Sequence, residues 1–156
     1  AHYFPDVRVD LADIDPAALA LARENTQALG LGDRVNIIES DVFAALGDVR
    51  YDLILSNPPY VDAQDLAQLP AEFRHEPERA LGSGPDGLEL TRRILRDARR
   101  FLADSGLLVV EVGNSWAALE EAYPLLPFTW LEFEHGGHGV FALTAKELQD
   151  YGACLG

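Results

Sequence analysis

Methionine is absent from this 156-residue chain, and cysteine occurs once, as Cys154. A single thiol excludes an internal disulfide framework and fits a reducing, cytoplasmic setting. No apolar run approaches the roughly 18–20 residues that a membrane-spanning helix needs, and no signal-peptide pattern opens the chain. Positive charge is scarce: 12 Lys and Arg stand against 26 Asp and Glu, for a net charge of −14. That balance argues against direct nucleic-acid binding, which draws its affinity from clustered Lys and Arg. It favours small ligands or a basic protein partner. The remaining composition, 48% hydrophobic and 24% charged, is that of a folded globule, and one domain is expected at this length.

Apolar segments alternate with punctuation. Val7 to Asp13 reads as a strand ending in an acid. Asp15 then caps a helix, with Pro16 in its first turn, Leu19, Ala22, Thr26 and Leu29 at helical spacing, and Gly30 as its stop. Arg34 to Glu39 holds a β-branched run and reads as a second strand. Tyr51 to Ser56 is nearly continuous in apolar residues, the pattern of a strand buried on both faces. The polar stretch from there to Gly87 is too long for a simple connector, which points to a functional segment. Leu88 to Leu102 has the stripe of an amphipathic helix, with Leu90, Ile94, Leu95, Ala98 and Leu102 in line. A buried strand at Leu107 to Val112, a helix near Ser115 to Tyr123, and strands at Phe128 to Glu134 and Gly139 to Thr144 complete the pattern. This alternation predicts an α/β fold with a mainly parallel sheet and one antiparallel strand near its edge.

Ligands of open α/β sheets bind beyond the carboxyl ends of the strands. Asp13 ends the first strand, where its two oxygens can accept the hydroxyls of a ribose; it equally reads as a turn acid supporting the cap at Asp15. Asp41, with Val42 and Phe43 after it, can meet the amine and face of an adenine ring. The most specific signal is Asn57-Pro58-Pro59-Tyr60, directly after the apolar strand. Each proline restricts the residue before it to extended conformations and offers no N–H. The Asn57 side-chain oxygen and the Pro58 carbonyl can therefore be aimed together at the two hydrogens of a planar –NH2 group, with Tyr60 against its face. An amide nitrogen is a poor nucleophile, because its lone pair is delocalised into the carbonyl. Holding both hydrogens orients it toward an electrophile and stabilises the charge that develops.

That tetrapeptide resembles the amino-group branch of the class I S-adenosylmethionine-dependent methyltransferases. Longer blocks, from Asn57 to Asp62, Phe73 to Pro77, Asp86 to Leu88, Arg92 to Leu95, Glu111 to Ser115 and Pro127 to Phe133, are similar to its glutamine N5-methyltransferases of the ribosomal-protein type. The likeness runs from about Phe4 to Leu148. It implies a Rossmann-like sheet, S-adenosylmethionine as cofactor, and methyl transfer to a glutamine side-chain nitrogen of a large-subunit ribosomal protein. It further implies that Asp13 holds the cofactor ribose, with Asp41 and Val42 at the adenine; Val42 stands where a relative has an aromatic residue. By the same resemblance Asn57 touches both cofactor and substrate amide, and Pro58, Pro59 and Tyr60 complete the glutamine pocket, with Asn57, Pro58 and Tyr60 as the catalytic set.

In such enzymes a first sheet strand, a Gly-rich cofactor loop and an N-terminal domain precede the point that matches Ala1. The chain is thus expected to hold a partial catalytic domain, 1–148, and a frayed tail, 149–156, with the central strand beside Tyr51 to Ser56 missing. An unfilled slot there predicts disorder, a rearranged edge or self-association, because unpaired buried backbone groups are costly. Other readings are a release-factor glutamine methyltransferase, an adenine-N6 nucleic-acid methyltransferase and a noncatalytic module. Three motifs read as decoys. Gly82 to Gly87 matches G-x-G-x-x-G but follows no strand, and Pro85 removes an N–H. His135 and His138 flank a glycine turn without further ligands at a recognised spacing, so no metal is expected. The arginines Arg92, Arg93, Arg96, Arg99 and Arg100 read as the solvated face of one helix. His75-Glu76-Pro77 reads either as a solvated loop or as part of the pocket's closure.

Overall fold

The structure, a computed structural model, describes residues 1–59, 86–134 and 136–155. The chain divides into two units, Ala1–Val49 and Arg50–Gly156. The first is a βαβ unit: β1 (Val9–Asp13), α1 (Pro16–Ala28) and β2 (Val35–Glu39). β1 and β2 pair in parallel from Val9↔Val35 to Asp13↔Glu39. The ends of α1 follow from its sequence. The Asp15 carboxylate accepts the Ala17 N–H at 2.9 Å, and Pro16 needs no partner in the first turn. At the other end Gly30 takes φ +66°, and the N–H groups of Gly30 and Leu31 close on the carbonyls of Gln27 and Thr26. Leu19 is the helix residue fully buried. β1 begins at Val9 rather than Val7 because the Val7 N–H turns back to the Phe4 carbonyl, at 3.2 Å. The Arg34 guanidinium then ties this entry segment to β2, reaching the carbonyls of Ala1 and Phe4 at 2.9 and 3.0 Å.

The second unit contains β3 (Tyr51–Ser56), α2 (Glu89–Ala98), β4 (Leu102–Glu111), α3 (Trp116–Ala122), β5 (Thr129–Leu131), β6 (Val140–Thr144) and α4 (Ala145–Asp150). Its sheet runs β3-β4-β6-β5, with β3 parallel to β4 and β6 antiparallel to both of its neighbours. The mainly parallel α/β pattern with an antiparallel strand near one edge is therefore present, although the described strands form two sheets rather than one. Alternation along β4 shows where the core lies: Leu108, Val110 and Val112 are fully buried, whereas Leu107, Val109 and Glu111 are half-buried. The buried set is joined by Phe141 and Leu143 of β6 and by Ile94, Leu95 and Ala98 of α2. Each large apolar side chain so enclosed contributes about 1.5–3 kcal/mol relative to exposure.

Three expectations need correction. Tyr51 to Ser56 is not buried on both faces: Leu53 is 49% and Leu55 69% exposed. Among the described residues β3 pairs with β4 alone, with an irregular register between Tyr51 and Leu53. The strand thus forms with a single strand neighbour among the described residues and with two leucines exposed. Leu102 belongs to the start of β4, not to the end of α2, so the same buried residue serves the core from a strand. Arg99 and Arg100 consequently lie beyond the helix, and Arg92, still partly exposed, pairs with Asp86 at 2.6 Å. Finally, the tail expected to fray is structured as far as it is described, to Leu155. A capping box, Thr144 with Glu147, starts α4, and Leu148 and Leu155 are buried on either side of the exposed Cys154 turn.

The backbones approach closely at the junction of β4 and β6. The Val112 N–H donates to the Gly139 carbonyl at 2.7 Å, and a Cβ at Gly139 would stand 2.1 Å from the Gly113 carbonyl oxygen. Gly139 also has φ +73°, which side chains rarely adopt. Gly139→Ala is expected to lower stability by about 2–4 kcal/mol, read as a shift in the urea midpoint.

Candidate active site

Parallel pairing brings the carboxyl ends of neighbouring strands to one edge. In the first unit that edge holds Asp13 and the Ser40–Phe43 turn, joined by the Ser40 N–H donating to the Asp13 carbonyl at 2.9 Å. Asp13 is exposed. One of its oxygens accepts the Asp15 N–H at 2.8 Å, so it supports the cap of α1 while remaining open to a ligand. Both readings of Asp13 are therefore compatible, because a carboxylate has about four acceptor positions.

The turn after β2 is strained. Val42 takes φ +53°, the left-handed region, which is a genuine outlier for a β-branched residue and costs on the order of 1–3 kcal/mol. Ser40 holds it there. Its buried hydroxyl donates to the Val42 carbonyl at 2.9 Å and accepts the Ala45 N–H at 3.0 Å. Asp41 is exposed at this bend, and Val42 and Phe43 are half-buried beside it. Sequence reasoning selected Asp41 and Val42 but passed over Ser40, although a hydroxyl at a strand end is a recognised turn signal.

In the second unit β3 and β4 end side by side, with Ser56 opposite Val110. Asn57, one residue further, therefore stands next to Glu111 at the end of β4. Asn57 is exposed, Pro58 is buried and Pro59 half-buried. A buried proline ring anchors the turn and leaves the polar side chain before it free to meet a ligand. Tyr60, Gly82, Gly84, His75, Glu76, Pro77 and His135 lie outside the described residues. Gly87 has φ +71°, and the preceding Asp86 accepts the Leu88 N–H at 3.2 Å together with two bonds from Arg92. The Arg92 hydrogen bond holds the Asp86 carboxyl below the usual carboxylate range. That segment is an anchored helix entry. Among the described residues no group of three or more His, Cys, Asp or Glu could hold a metal ion, and no helix is long and apolar enough to cross a membrane.

The structure thus brings Asp13 together with Asp41 and Val42 in one unit, and Asn57 with Pro58 and Pro59 in the other. Both sets occupy carboxyl ends of parallel strands. The acceptors are compatible with a nucleoside: an exposed carboxylate that can accept ribose hydroxyls and a half-buried apolar bend beside a second acid.

Two solved structures of methyltransferases share this fold. A methyltransferase from Pyrococcus furiosus superposes with a TM-score of 0.63 over 93% of this chain and 66% of that one, at 17% identity. TrmN from Thermus thermophilus gives 0.59 over 90% of this chain and 37% of that one, at 24% identity. The fold is therefore a Rossmann-like α/β sheet of the kind these enzymes have. More particularly, the chain belongs to the methyltransferase small domain family, which residues 1–86 match. It is 50% identical over 148 residues to the ribosomal protein uL3 glutamine methyltransferases of Neisseria gonorrhoeae and Neisseria meningitidis serogroup A, covering 95% of its own length. The chain spans about half the length of these curated relatives, 49% and 48% respectively.

The Ser40 bracket gives a direct test. Ser40→Ala leaves the Ala45 N–H without its acceptor and releases the strained bend. A loss of about 1–3 kcal/mol is expected, measured by chemical denaturation.

Proposed function

We propose that this chain is the larger part, 1–148 with a tail at 149–156, of the catalytic domain of a protein-glutamine N5-methyltransferase. Its substrate is a basic large-subunit ribosomal protein, uL3 in the relatives' own name, and its setting is the cytoplasm. The observation that carries this reading is the Asn57-Pro58-Pro59 turn at the carboxyl end of β3, with Pro58 buried and Asn57 exposed. S-adenosylmethionine, when bound, supplies an electrophilic methyl group. Asp13 would accept its ribose hydroxyls, and Asp41 and Val42 would border its adenine.

The chain's own contribution is orientation. Asn57 and the Pro58 carbonyl would accept hydrogen bonds from the two amide hydrogens of the glutamine, and the family resemblance assigns Tyr60 to the amide face. Two acceptors fixed in advance hold the nitrogen at the reactive position and favour the positive charge that grows on it. The N-protonated amide that results is strongly acidic and passes its proton to water, so no strong base is required. The acidic balance of the chain suits a basic protein better than a nucleic acid.

Asn57→Ala in the full-length enzyme is expected to lower methyl transfer to glutamine by about 100-fold or more while the circular dichroism spectrum stays unchanged. Turnover close to that of the parent would sink the assignment. Label appearing in a release factor or in nucleic acid, instead of a ribosomal protein, would replace the substrate. For this chain by itself we also propose self-association through the open edge of β3, where Leu53 and Leu55 are exposed. Sedimentation should show a mass that rises with concentration, and Leu55→Lys should return it to that of one chain.

A further inference from the structure

Both tryptophans of the chain, Trp116 and Trp130, meet in one cluster at the far side of the second unit's sheet. Their rings stand edge to face, with centroids 6.1 Å apart, and Trp130 also packs on Phe128 and Phe141. The Trp130 indole N–H donates to the Glu120 carboxylate at 2.8 Å, which holds an exposed acid beside the aromatic faces. Trp116, at the start of α3, is 46% exposed. Phe141 and Leu126 already supply buried apolar contacts nearby, so an indole left half in water is not needed to close the core.

Charge along this stretch of chain is of one sign, and the Arg92 guanidinium that reaches Tyr123 at the end of α3 is already paired with Asp86. From Phe101 to Ala145 the chain has no Lys or Arg, while Glu120, Glu121, Glu132 and Glu134 are all exposed. An indole face bordered by carboxylates attracts a guanidinium or ammonium group twice, through the ring quadrupole and through the acid. The ledge also has a defined relation to the Asn57 turn. Trp130 is in register with Phe141, Phe141 with Val110 and Val110 with Ser56, the residue before Asn57. Three strand spacings separate Trp130 from Ser56, about 14 Å, which an extended peptide covers in about four residues.

We propose that Trp116, Trp130 and Glu120 form a docking ledge for an arginine- or lysine-bearing segment of the protein substrate. This rests on the glutamine-methyltransferase reading for the identity of that substrate; the ledge itself recognises a basic peptide. It extends recognition from the target amide to a cationic side chain across the same sheet.

The test is titration of this chain with an oligo-arginine peptide at low salt, followed by tryptophan fluorescence and by calorimetry. Since both indoles lie in the ledge, saturable binding should change their emission. Trp116→Ala is expected to weaken binding about tenfold and Glu120→Gln about threefold, while Trp116→Phe keeps most of the affinity and Glu24→Gln, in the other unit, keeps all of it. Undiminished binding by Trp116→Ala, or an equal response to oligo-glutamate or single-stranded DNA, would overturn the ledge. The two proposals fail separately. Asn57→Ala should bind the peptide as the parent does, and a full-length enzyme that binds it without methylating a ribosomal protein would refute the function and leave the ledge standing.

Discussion

Parallel pairing of neighbouring strands is the constraint on which everything else depends. Two strands that run the same way release their last residues at the same edge, and the pairing register decides which residues meet there. β1 and β2 place Asp13 against Glu39 and so deliver the Ser40–Phe43 bend to the Asp13 carbonyl. β3 and β4 place Ser56 against Val110, which sets Asn57 beside Glu111. A slip of one residue in either ladder would turn the polar ends toward opposite faces and separate them.

The register is enforced by burial. Leu108 and Val110 of β4 and Phe141 and Leu143 of β6 are fully enclosed, and moving any of them to the other face would expose it. The close approach of Gly139 to the Gly113 backbone pins the end of β4 in addition, since a side chain at Gly139 would collide with it. Rigidity at this end and strain at the other carboxyl edge, in Val42, are different means to one result. Both hold backbone carbonyls and short side chains in place before any ligand arrives.

Much of this was legible in the sequence, for identifiable reasons. α1 announced itself through Asp15, Pro16 and Gly30, three residues whose backbone demands are local. The alternation of segments foretold an antiparallel strand near the sheet edge, which is β6, paired antiparallel with β4 and β5. Leu102 was misplaced because helical spacing and strand burial both ask for an apolar residue there; the choice between them is made by β3, which pairs Tyr51 with Leu102. The exposure of Leu53 and Leu55 was hidden for a similar reason, as an apolar run reports what a strand can bury and not whether a neighbour is there to bury it. At the site, Asn57 stood out because two prolines follow it. Ser40 did not, because its role lies in a positive φ two residues later that no valine advertises.

The open side of β3 has a further consequence. In a strand the backbone groups of successive residues point alternately to its two sides. Those of β3 that face β4 are held in a ladder, whereas on the other side no strand among the described residues pairs with them. Two neighbouring amides in one well-formed strand can therefore differ greatly in how long they keep a proton, one exchanging with solvent at once and the next only when the sheet opens. β3 is in this sense a strand with two lifetimes, and whatever covers its bare edge would be recognised by the disappearance of the shorter one.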